Sequence, residues 1–221
     1  MKEIYNLLPQ IIDTRAVRVV MEFGAYRGED TVHLRRTFPN AQLYSFEPDP
    51  RNVGEMRRNG SADQTTLVEA AVSDRDGSAS FHLSSAELSI APQWVSDAEY
   101  SGSSSLKRPL GTSDVHPWLR FDATVVVPTL TLDTFVRERG IEHIDFIWAD
   151  VQGAEDLMIA GGKAALSHAS LLYTECTETS EYEGQIGLEE ILERLPGPWE
   201  VIQRFPYDVL LRNMSYSMGA P

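Results

Sequence analysis

Cysteine is nearly absent from this 221-residue chain, which carries Cys176 alone. That excludes an intramolecular disulfide, a CxxC redox pair and any metal site built from cysteine pairs, and it fits a reducing, cytoplasmic compartment. Basic charge is also scarce. The chain sets 19 Lys and Arg against 33 Asp and Glu, a formal charge of −14, and such a field repels polyanions. The arginines that do pair, Arg35 with Arg36 and Arg57 with Arg58, fall on helical patterns as solvated faces. They form no basic groove, so nucleic acid is not an expected partner. Long apolar runs are missing too. The opening MKEIYNLLPQIIDT is too short and interrupted for a signal peptide or a membrane span. Its Ile4, Leu7, Leu8, Ile11 and Ile12 recur at helical spacing, which predicts a short amphipathic helix within residues 1–15, packed on the domain. The Lys and Arg cluster of a membrane-surface helix is absent from its polar face.

What is present is ordinary core material. A hydrophobic content of 42% with 24% charged residues supports a folded domain, and the length fits one domain over residues 1–221. Short apolar runs predict strands at Val17–Phe23, Leu43–Glu47, Thr66–Val72, Ile144–Asp150 and Leu171–Cys176. Helical patterns lie between them at Thr31–Phe38, Asn52–Asn59, Leu132–Arg139 and Glu155–Ala165, with another at Leu188–Arg194. Trp199–Arg204 and Tyr207–Arg212 flank Phe205-Pro206 and predict a terminal hairpin at the sheet edge. The alternation predicts an α/β fold with a doubly wound, mostly parallel sheet. One connection, from Ser73 to His143, is too long for a simple crossover. Asp76-Gly77 within it predicts a tight hairpin. Residues 84–121, rich in Ser, Gly and Pro, predict an inserted loop that serves as a substrate-side lid.

The first strand ends in VVMEFGAYRGEDT, a turn of the form E-x-G-x-x-x-G made by Glu22, Gly24 and Gly28. Glycines let a ligand approach the backbone, and the following helix end favours an anionic group. Tyr26 stands where a dinucleotide fingerprint has its middle glycine, and no Gly-Lys-Ser/Thr follows, which disfavours pyrophosphate and nucleoside triphosphate. The second strand ends in LYSFEPDP, where Glu47, before Pro48, can accept from both hydroxyls of a ribose. An adenosine ligand with a small charged group satisfies both turns, and S-adenosylmethionine is the obvious one, with Glu22 reaching its ammonium.

Asp150, in WADVQGAED, falls at the tip of the fourth strand, where open α/β sheets hold their chemistry. Gly153 permits the turn after it, and Glu155 reads as a helix-end charge. Glu175 ends the neighbouring strand. Asp150 and Glu175 can therefore hold a hard divalent cation such as Mg²⁺, or form a hydrogen-bonded pair of acids. His33, His143 and His168 read as surface residues. His82 and His116 lie in or near the insertion, with no partner that marks either as a base. Cys176 reads as a half-buried small residue and Trp148 as packing.

The segments EFGAYRGEDT, LYSFEPDP, EAAVSDRDGSASFHL, SGSSSL, VPTLTLDTF, IDFIWADVQGAE and LYTEC, in this order, resemble the FkbM family of methyltransferases. The resemblance implies a class I methyltransferase, Rossmann-like, with a seven-stranded sheet and a reversed terminal strand. It also implies S-adenosylmethionine as donor and a hydroxyl of a sugar, glycan or natural product as acceptor. It places cofactor contacts at Glu22, Gly24, Glu47 and the Ala71 region, with Asp150 beside the transferred methyl. Where many members read Lys-Ile-Asp-Val-Glu-Gly, this chain has Trp148 and Gln152 in place of the Lys and the second acid. The expected chemistry is in-line methyl transfer with Asp150 as general base, or as metal ligand with Glu175, and Ser103, Ser104 and Ser105 offering donors to the substrate. An NAD-dependent oxidoreductase and a non-catalytic protein on the same fold are the alternatives.

Overall fold

The computed structural model describes residues 3–110, 116–177 and 179–216. In chain order the elements are α1 (Ile4–Ile11), β1 (Val19–Phe23), α2 (Glu29–Thr37), β2 (Gln42–Phe46), α3 (Pro50–Asn59), β3 (Thr66–Val68) and β4 (Ala71–Val72). They continue with β5 (Gly77–Ala86), β6 (Leu119–Leu130), α4 (Leu132–Arg139), β7 (Ile144–Ala149), α5 (Glu155–Gly161), α6 (Lys163–Ser167) and β8 (Ala169–Glu175). α7 (Leu188–Arg194), β9 (Trp199–Arg204) and β10 (Asp208–Asn213) close the chain.

Seven strands make one sheet in the order β3-β2-β1-β7-β8-β10-β9. All neighbours are parallel until β10, which runs antiparallel to both β8 and β9. The fold class is thus α/β, with a seven-stranded, mostly parallel sheet and a reversed last strand. Chain order turns around between β1 and β7, and the crevice beyond their carboxyl ends is where such sheets bind ligands.

Side chains alternate across the sheet. Met21, Phe23, Ile147, Ala149, Leu172 and Leu211 enter one apolar layer with α4, α5 and α7. Val20, Phe146, Trp148, Leu171, Tyr173 and Leu210 enter the other with α1 and α2. Burial on both faces explains why these strands read as continuous apolar runs. α1 packs as its spacing predicts, with Ile4 and Leu8 fully buried. Local signals set helix ends: Asp49 caps α3 by accepting from Arg51 N, Pro50 occupies its first turn, and Gly140 ends α4 in the left-handed conformation. No helix of the described residues is long and apolar enough to cross a membrane.

Four expectations are corrected. The run Thr66–Val72 is two strands in two sheets: β3 pairs with β2, whereas β4 pairs with β6, the chain pinching at a turn where Ala70 N donates to Val68 O. Asp76-Gly77 makes no tight hairpin. Gly77 opens β5, whose antiparallel partner is β6 far downstream, while Asp76 accepts from Thr131 N and Thr134 Oγ1 and pins the start of α4. The ends of the expected 84–121 loop belong to these strands, so the irregular part lies between Ala86 and Leu119, and its residues 111–115 fall outside the described residues. Finally, the helix Glu155–Ala165 is broken at Gly161-Gly162. A β-carbon on Gly161 would lie 1.9 Å from the carbonyl oxygen of Ser73, so the bare backbone lets α5 press against the chain leaving β4.

Candidate active site

Two cavities open beyond the carboxyl ends of the central strands. The first, of about 410 Å³, is lined by the turns after β1 and β2, by Asn52, Ala70, Ala71 and Val72, by Tyr5, Glu29, Asp30 and His33, and by Tyr100, Ser101, Gly102 and Ser104 from the insertion. The second, of about 1200 Å³, runs between the insertion and the segments after β8 and before β10. Asp150 and Gln152, with Tyr100 and Gly102, line both.

The first cavity is built on two paired strand tips. Asp150 N donates to Phe23 O, continuing the β1–β7 ladder past its last register pair, Phe23 with Ala149. Gly24, at φ 79°, follows Phe23, and a β-carbon there would meet the Asp150 carbonyl oxygen at 1.9 Å. Only glycine fits both the angle and the approach. Tyr26 adopts φ 52°, which costs a residue with a β-carbon about 1 kcal/mol. The turn makes up part of this cost by aiming Tyr26 N at Glu47 Oε2, 2.7 Å away.

Glu47 is buried and lines the cavity beside Pro48. Burial pushes its carboxyl up to about 8, against the opposing pull of donors from Asp49 N, Asn52 Nδ2 and Tyr26 N. Ser101 Oγ donates to Asn52 Oδ1 at 2.5 Å, so the insertion reaches this acid through one intermediary.

Asp150 and Glu175 end adjacent strands. Gln152 Nε2 donates to Asp150 Oδ1 at 2.7 Å and lies 3.3 Å from Glu175 Oε2. Its Oε1 is 3.0 Å from the Tyr182 hydroxyl, which also reaches Ser103 O at 2.7 Å. Burial, then the nearby charges of Asp150 and Glu155, hold the Glu175 carboxyl well above the ordinary range. Glu155, buried at the start of α5, is pushed up to about 8, first by burial and then by Asp150 and Asp156 against its backbone donors. Among the described residues, no three His, Cys, Asp or Glu side chains are grouped to hold a metal ion.

Several expected site residues are placed elsewhere. Glu22 lies on neither cavity wall; it is buried on the α2 face of β1, its Oε2 accepting from Thr31 Oγ1 at 2.6 Å and Ser45 Oγ at 2.5 Å. Gly28 also lines neither cavity, and its bare Cα accommodates Ser61, whose Oγ would sit 2.0 Å from a β-carbon. Ser105 is fully buried and donates to Gln152 O at 2.7 Å, and Ser104 lines the first cavity rather than the second, its Oγ accepting from the Arg51 guanidinium and from Ser84 N behind the wall. Ser103 does line the second. The serine run is therefore a clamp that ties the insertion to α3 and to the turn after β7. Gln152 as a bridge, and Tyr182, were not found from sequence. Tyr182 lies in an irregular acidic segment without a motif, and its ring reaches the site by packing where a β-carbon on Gly153 would come within 2.8 Å.

The sequence pattern of the methyltransferase FkbM domain family matches residues 22–209. The chain is 41% identical over 200 residues to the 2-O-methyltransferase NoeI of Sinorhizobium fredii (strain NBRC 101917 / NGR234), a match that covers 88% of this chain and 79% of that protein. It is similar in structure to the methyltransferase FkbM from Methylobacillus flagellatus KT, with TM-score 0.49 and 15% identity. That match spans 88% of this chain but 42% of the longer protein. It is also similar to precorrin-6y C5,15-methyltransferase from Geobacter metallireducens GS-15, with TM-score 0.43 and 14% identity over 96% of this chain and 88% of that one. With the family pattern matched from the end of β1 into β10, this chain belongs to the FkbM methyltransferase family.

Proposed function

We propose that this chain transfers a methyl group from S-adenosylmethionine to a hydroxyl oxygen of a saccharide or related natural product, the donor lying in the first cavity and the acceptor in the second. The observation that carries the reading is that Asp150 and Gln152 line both cavities, so one carboxylate faces the place where the two substrates must meet.

The first cavity fits the donor by its chemistry. Glu29, Asp30, Glu47 and Asp150 line it, and no Lys or Arg is among its described lining residues. An acidic wall favours a ligand with a sulfonium and an ammonium and disfavours the pyrophosphate of NAD, which needs cationic or backbone N–H partners. Glu47, beside the Tyr26 turn, offers carboxylate oxygens to ribose hydroxyls, while Ala70, Ala71, Val72 and Phe81 offer an apolar slot for the base. The 2-O-methyltransferase name of the 41% identical relative favours oxygen as the acceptor atom.

S-adenosylmethionine, when bound, supplies an electrophilic methyl, whose bond to sulfur breaks with the electron pair left on sulfur as the new bond to oxygen forms. Asp150 takes the proton leaving the acceptor hydroxyl. Gln152, donating to Asp150, holds that carboxylate in one orientation. The insertion, clamped by Ser101, Ser104 and Ser105, walls off water from both substrates as a lid. Asp150 acts here as a base and not as a metal ligand, because the Gln152 amide nitrogen stands between the two carboxylates that a cation would have to share. Titration calorimetry with S-adenosylhomocysteine and with NAD tests the donor assignment. Binding of the first and not the second is expected, and the reverse order of affinities would overturn it.

A further inference from the structure

We infer that the acceptor is an uncharged glycoside, methylated after its sugar has been transferred rather than while the sugar is still joined to a nucleoside diphosphate. The inference rests on the methyl-transfer reading above and concerns the second cavity. Carboxylates from Asp150, Glu175, Glu181, Glu189, Glu190 and Asp208 line that cavity, whereas Arg204 is the one Lys or Arg among its described lining residues. His116 on the same wall is turned to Glu181, with Nε2 3.5 Å from Oε1. Burial, and after it the charges of Asp150, Glu155 and Asp208, opposes the ionisation of Glu175. A diphosphate entering this groove would bring two more negative charges beside these acids, and like-charge juxtaposition disfavours its binding. The features that hold diphosphates elsewhere are paired Arg or Lys side chains and a helix N-terminus with open N–H groups. Here the first turn of α7 borders the groove but carries Glu189 and Glu190.

The same wall suits a polyol. Carboxylates accept from hydroxyls. Trp94, 67% exposed, and Tyr207, 69% exposed, offer flat apolar faces to the C–H face of a sugar ring. Trp94 is held edge-on by Trp118, with centroids 5.5 Å apart, and by Tyr100 at 6.1 Å, so its plane is set before a ligand arrives. The methyl-transfer step leaves the glycosidic bond intact: the acceptor oxygen gains the methyl, sulfur keeps the electron pair of the broken bond, and the hydroxyl proton passes to Asp150. The reaction that supplies this acceptor is then a glycosyl transfer, in which the nucleotide has already departed.

The experiment uses the full chain saturated with S-adenosylhomocysteine. Binding is titrated with the methyl glycosides of fucose, rhamnose, mannose and xylose and with the corresponding nucleoside diphosphate sugars, and tryptophan fluorescence and calorimetry are read together. At least one uncharged glycoside should bind about tenfold or more tightly than its nucleotide counterpart. Its binding should weaken in Trp94→Ala while S-adenosylhomocysteine affinity stays unchanged. Glu189→Lys/Glu190→Lys should narrow the gap between the two series. Nucleotide sugars that bind as well as the glycosides, or no glycoside binding to enzyme that holds S-adenosylhomocysteine, would overturn the inference and leave the donor reading intact. Failure to bind S-adenosylhomocysteine would instead overturn the reading on which it rests.

Discussion

A β-carbon on Gly24 would lie 1.9 Å from the carbonyl oxygen of Asp150. The turn after β1 and the backbone of Asp150 are thus packed together as one unit. Gly24 is also at φ 79°. Gly24→Ala should therefore destabilise the protein by about 2 kcal/mol or more, since strain and overpacking add. A clear fall in melting temperature, together with loss of S-adenosylhomocysteine binding, is expected. A variant that melts and binds like the parent would show that the tips are not rigidly joined.

Asp150→Asn keeps the size of the side chain and removes its capacity to take a proton. Turnover should fall about 10²-fold or more, with a much smaller loss of S-adenosylhomocysteine affinity, because Asp150 is only one of the acids on the donor cavity wall. A chelator should leave the parent enzyme unchanged. Activity lost on chelation and restored by Mg²⁺ would move Asp150 from base to ligand.

Gln152 supplies one N–H₂ group to two carboxylates. Gln152→Glu removes that donor and places a third acid beside Asp150 and Glu175. Turnover in chelated buffer should drop at least about tenfold, as a crowded acid is harder to ionise in the right orientation. Mg²⁺ or Mn²⁺ should restore part of it by neutralising the added acid and taking the place of the lost amide donor. Full metal-free activity in this variant would show that the bridge does not position Asp150.

With Glu47 against the ribose as proposed, donor affinity should depend on pH. Its carboxyl sits at about 8 in the folded protein, raised from an ordinary value of 4.5. Ribose hydroxyls donate to the ionised form, so affinity for S-adenosylhomocysteine should rise as pH goes from 6 to about 9. Glu47→Gln should bind more weakly and flatten the profile. Stability runs the other way. The unfolded chain ionises near 4.5 and the folded one only near 8, for Glu47 and for Glu155 alike. The unfolded state therefore binds fewer protons in that window, and the ligand-free protein should lose stability as pH rises from about 4.5 to about 8. Denaturant midpoints measured across the window, with Glu47→Gln as control, decide the matter.

The turns after β1 and β2 that line the first cavity were legible because their signals are local. Gly24 must be glycine to adopt its angle, and Glu47 must sit at a strand end before Pro48. Each can be read from a few neighbouring residues. The insertion was not legible in the same way. β6 holds Val125, Val126 and Val127, a β-prone run, yet Pro128 interrupts the pattern, and the strand has its antiparallel partner about 40 residues upstream in β5. Pairing at that separation leaves no local period to read. Gly161-Gly162 likewise looked like part of a helix, and only the approach of Ser73 shows why the helix stops there.

Sequence by itself determined the alternating strands and helices, the Gly turn, the two acids at strand tips and the family pattern, because each depends on periodicity or on the backbone freedom of single residues. Tertiary structure alone decided that Glu22 accepts from Thr31 and Ser45, that the serine run is a clamp, and that Gln152 joins Asp150 to Glu175. The reason is physical. A hydrogen bond depends on where two side chains end in space, and for residues on different strands and loops the packed sheet sets that distance.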